Sequence, residues 1–106
     1  MKKIKYLGLF LLLFVSKSTF AHYLWIETNP TGAQNQKQEV KVYFGEYTYG
    51  LIEEVAGEAF AGVDDFTLWL VAPSGEKTAL KTTAHENHYA ADFTPKEKGG
   101  YLVFLE

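Results

Sequence analysis

The sequence predicts an all-β domain, an immunoglobulin-like β-sandwich with a short helical or irregular insertion around residues 51–62. Three observations predict it. Short runs rich in β-branched and aromatic residues recur along the chain. Turn signals made of Gly, Pro, Asn and Asp separate them at intervals of about ten residues. Lys98-Gly99-Gly100-Tyr101 matches the corner in which a tyrosine hydroxyl caps a backbone loop before the penultimate strand.

The first element precedes the domain. Lys2, Lys3 and Lys5 lead into the apolar run Tyr6 to Val15, which closes on Ser16 to Ala21. A positive start, a short apolar middle and small residues at the end are the layout of an export leader. A spanning helix needs about 20 apolar residues, and this run has roughly half of them, so it directs export without leaving an anchor in the mature chain. Thr19 and Ala21 fill the small-residue positions of a cleavage site. The expected division is therefore a signal peptide over 1–21 and one domain over 22–106, placed in the periplasm or secreted, with His22 as the first residue after the cut.

Within the domain, His22 to Glu27 suits a first strand, and Thr28 to Gly32 breaks it. Val40, Val42 and Phe44 alternate with Glu39, Lys41 and Tyr43, the signature of a strand with one buried face. Gly45 to Asp65 is punctuated by four glycines, and Leu51 to Ala56 is expected to form a turn or two of helix. Phe66–Ala72 and Lys77–Thr83 read as strands around the turn Pro73-Ser74-Gly75. Tyr89–Phe93 and Gly100–Leu105 complete six strands. The β pattern is still running at Glu106, so the sandwich is expected either to be truncated or to offer an open edge to a partner strand.

Composition restricts the partners. The leader carries four lysines, which leaves six Lys against 13 Asp and Glu in the mature part, a surface that repels nucleic acid. Arginine is absent, and with it the usual bidentate clamp for phosphate. Cysteine is also absent, so no disulfide or thiolate metal site exists. An exported domain of about 85 residues must then be held by hydrophobic burial, by a metal or by a partner. Trp25 and Trp69 are expected in the core, with an exposed ligand platform as the other reading.

The chain has three histidines, His22, His85 and His88. A terminal His22 would present its α-amine and its own imidazole to one metal ion, a chelate that suits Cu(II) or Ni(II). If Glu86 and Asn87 are the tip of a hairpin, His85 and His88 lie directly opposite one another, and either could complete the site. Glu86 is a candidate oxygen ligand or hydrogen-bond acceptor for such a site. The other reading is that all three are surface histidines at strand ends. No hydrolase motif or phosphate loop is present.

The segment Ala21-His22-Tyr23-Leu24-Trp25-Ile26-Glu27, followed by Val42-Tyr43-Phe44-Gly45-Glu46 and by Trp69 ahead of Pro73-Ser74-Gly75, resembles a bacterial exported domain of unknown function grouped with periplasmic components of nickel and cobalt uptake. The resemblance covers most of residues 21 to 82. It implies an immunoglobulin-like exported domain that handles nickel, cobalt or a related divalent transition metal, often in chains about twice this long, and of the three histidines it carries over only His22. The expected function is a metal carrier or uptake accessory, not an enzyme, with the ion and an envelope or transporter protein as partners. The alternative is a metal-free module binding protein or glycan in the cell envelope, and copper-dependent oxidation at the terminal histidine is a third reading.

Overall fold

A computed structural model of the chain describes residues 22–106; the leader expected over 1–21 lies outside them. The described residues form an all-β, sandwich-like fold of two antiparallel sheets. The first sheet has the order β1-β2-β7-β6, from β1 (Tyr23–Thr28), β2 (Gln38–Glu46), β6 (Thr83–Ala84) and β7 (Tyr89–Phe93), and β3 (Leu51–Ile52) pairs with the end of β2. The second has the order β5-β4-β8, from β4 (Leu68–Val71), β5 (Lys77–Leu80) and β8 (Leu102–Leu105).

The alternation in β2 positions the core. Val40, Val42 and Phe44 are buried while Glu39, Lys41 and Tyr43 face outward, because successive side chains leave opposite faces of a strand. Val40 and Val42 join Leu68 of β4 and Ala91 of β7, flanked by Leu24, Ile26, Phe66, Leu80, Tyr89, Phe93, Val103 and Leu105. Phe60 closes one end of this core. It is fully buried and packs its ring on Phe44 at 5.6 Å and Tyr89 at 5.3 Å.

Several elements differ from expectation. Leu51 to Ala56 begins as strand β3, and the helical turn falls later, at α1 (Glu58–Ala61). The reason is local: Gly45 has φ +152°, and a Cβ there would drive into the Leu51 carbonyl, so glycine admits the returning chain against the end of β2. The stretch 77–83 is two strands, since Leu80 pairs with Leu68 in the second sheet whereas Thr83 pairs with Ala90 in the first. Neither tryptophan joins the core. Trp25 lies opposite Tyr43 on the outer face of the first sheet, and Trp69 lies between Ala79 and Phe104 on the outer face of the second, with Lys77 Nζ 4.2 Å from its ring. The expected tyrosine corner is present, with the Glu97 N–H donating to the Tyr101 hydroxyl at 2.9 Å.

Candidate functional site

β2 carries its apolar alternation one step too far. After Val40, Val42 and Phe44, the next residue on the inward face is Glu46, only 8% exposed. Its Oε1 is buried without a hydrogen bond. Leaving a buried carboxylate oxygen without a hydrogen bond costs about 1–3 kcal/mol, so this acid is out of place in a purely structural strand end.

His22 stands opposite it. The register Tyr23↔Gly45 extends one pair to bring His22 against Glu46, and Nδ1 of the imidazole lies 3.9 Å from Glu46 Oε1. That distance is too long for a hydrogen bond. The other ring nitrogen, Nε2, lies 3.0 Å from Glu53 Oε2, within hydrogen-bond reach. Glu53 is brought there by β3 and by its own backbone N–H, which donates to the Phe44 carbonyl at 2.8 Å. The imidazole also rests on the Phe44 ring at 5.5 Å and keeps 29% of its side-chain surface exposed. A carboxylate on one ring nitrogen, as Glu53 is on Nε2, is the pairing that orients a metal-binding imidazole, and it places the other nitrogen, Nδ1, on the Glu46 side of the ring.

The other two histidines form a separate pair. His85 N–H donates to the His88 carbonyl at 2.8 Å across the Glu86-Asn87 tip, and the rings stack at 4.9 Å with an interplanar angle of 10°. Nδ1 of His88 is 2.8 Å from the Asn87 side-chain oxygen, and its ring lies 5.3 Å from Tyr43. Partial desolvation, followed by the neighbouring His85 and Lys41, pushes the His88 imidazole below its ordinary pKa, against a weaker upward pull from Glu39.

The register separates this pair from His22. Val42↔Tyr89 extends to place His88 beside Tyr43, and Tyr43 and Glu46 are an odd number of residues apart on β2. His88 is therefore on the outward face and His22 on the inward one. The three-histidine set expected from the sequence is not assembled in one place. Among the described residues no group of three or more His, Asp or Glu side chains stands at metal-holding spacing. At His22 the reason is visible, since Glu46 and Glu53 approach opposite nitrogens of one ring.

Glu46 and Glu53 are the residues that reading the sequence passed over. Glu46 had a signal, an acid at the fourth inward position of a strand whose other three are apolar. Glu53 had none, because its place depends on the close approach at Gly45.

No family model matches the chain, and no characterised protein matches its sequence significantly. Among the described residues no helix is long and apolar enough to cross a membrane.

Proposed function

We propose that this is an exported domain of the cell envelope that binds a divalent transition metal, copper, nickel or cobalt, as a carrier or uptake accessory. The buried, unbonded Glu46 oxygen facing His22 Nδ1 is the observation that carries this reading. Two donors bound to one ion at about 2.0–2.2 Å each can be up to about 4.2 Å apart, so the 3.9 Å gap accommodates a single ion. When the chain begins at His22, the α-amine joins Nδ1 in a chelate, Glu46 adds an anionic oxygen, and Glu53 holds the far side of the ring. Nitrogen donors with one carboxylate suit Cu(II) and Ni(II), with affinity falling in the order Cu(II), Ni(II), Co(II).

Calorimetric titration of the chain starting at His22 tests this. One ion should bind at the His22 site, and an N-terminal extension that turns the amine into an amide should weaken that event by roughly a hundredfold or more, since half of a linked pair of donors is removed. Unchanged affinity in the extended chain would remove the chelate.

A metal-free interaction module is the second reading, supported by apolar exposure at the same end of the first sheet: Tyr47 is 64% exposed, and Leu51 and Ile52 are exposed beside it. A silent titration with all three metals would favour it.

A further inference from the structure

We propose that His85 and His88 form a second transition-metal site, independent of the first and on the opposite face of the same sheet. The pair has three properties of a prepared site. It is a directly opposed cross-strand pair at a hairpin tip, locked by the His85 N–H to His88 carbonyl bond, which brings both imidazoles to one face. The rings are adjacent, with centroids 4.9 Å apart, so turning them out of their parallel stack about the side-chain torsions brings a nitrogen of each to one ion. The Asn87 side-chain oxygen takes the Nδ1 proton of His88, which leaves Nε2 as the free lone pair; a hydrogen bond on one ring nitrogen commonly decides which nitrogen is metallated.

The surroundings hold the arrangement in place. Tyr43 backs the His88 ring at 5.3 Å and is itself stacked on Trp25 at 5.6 Å. Lys41, a cation that would oppose a metal here, is drawn to Glu39 Oε1 at 3.6 Å. Two imidazoles with water in the remaining positions favour Cu(II), Ni(II) and Zn(II). No α-amine takes part, so the site forms whether or not the leader has been removed.

Its test separates it from the His22 site. A His22→Ala chain titrated with Cu(II) and Ni(II) should still bind one ion. Adding His85→Ala or His88→Ala should weaken that event at least tenfold, and Asn87→Ala, which frees the Nδ1 proton, should weaken it a few-fold. In NMR spectra of the His22→Ala chain, Zn(II) should shift the ring protons of His85 and His88 together. No binding by the His22→Ala chain, or binding undiminished when both hairpin histidines are replaced, would overturn the proposal. Both positions are on the surface at the hairpin, and the far-UV circular dichroism of each variant should match that of the parent.

Discussion

His22 and His88 flank the same strand, β2, yet they inhabit different chemical worlds. His22 lies on the inward face between two carboxylates and against Phe44. His88 lies on the outward face among His85, Asn87 and Tyr43. The difference comes from parity, because their partners on β2 are Glu46 and Tyr43, and an odd offset along a strand exchanges faces. Identical side chains acquire different second partners, carboxylates and a core phenylalanine for one, a second imidazole, an amide and a tyrosine for the other. A ligand set inferred from residue type alone merges two places that the pleat keeps apart.

The largest effect that should break the symmetry between them is Phe60→Ala. Phe60 supports Phe44 from below, and Phe44 supports His22. Removing a fully buried phenylalanine should cost about 3–5 kcal/mol in urea unfolding. Where the protein remains folded, metal binding at His22 should weaken while the hairpin pair keeps its affinity. Equal weakening at both would show that they share one support.

Glu46→Gln sharpens the comparison further. The amide keeps the shape and removes the buried anion, so the metal-free protein should gain about 1 kcal/mol of stability. Its first-site affinity should fall by about tenfold. A loss of metal-free stability would assign Glu46 a structural role and withdraw it from the ligand set.

The smallest expected effect is at the hairpin. Lys41→Gln removes a nearby positive charge and should tighten the second site by about twofold at low salt, an advantage that half-molar salt should erase. The His22 site should not respond. Titrations at two ionic strengths measure this, and tightening at His22 instead would place Lys41 nearer that end than the register does.

Much of the architecture was legible. The Val40-Val42-Phe44 alternation located the central strand, and the Glu86-Asn87 tip and the Tyr101 corner were readable as local chemistry. What escaped was non-local. The chain changes sheets between Leu80 and Thr83, although the residues there read as one extended run. The expectation that Trp25 and Trp69 lie in the core fails, because their strands carry large apolar groups on both sides and either face could have been the buried one. The relation of His22 to His88 depends on two pairings to β2 made from opposite ends of the chain, and no local pattern encodes their joint phase. Glu53 was invisible for the same reason, since Gly45 decides where it goes only once β3 has folded back.

His22 sits immediately ahead of β1, whose first pair is Tyr23↔Gly45, so there is no slack between the strand and the proposed donor. A precursor ending its leader at Ala21 would carry an amide at that nitrogen, and the same polypeptide would lack its first chelate until a peptidase had acted. Maturation would then serve as a licensing step: the hairpin histidines could load at any time, whereas the carboxylate-flanked position would open only after delivery to its destination.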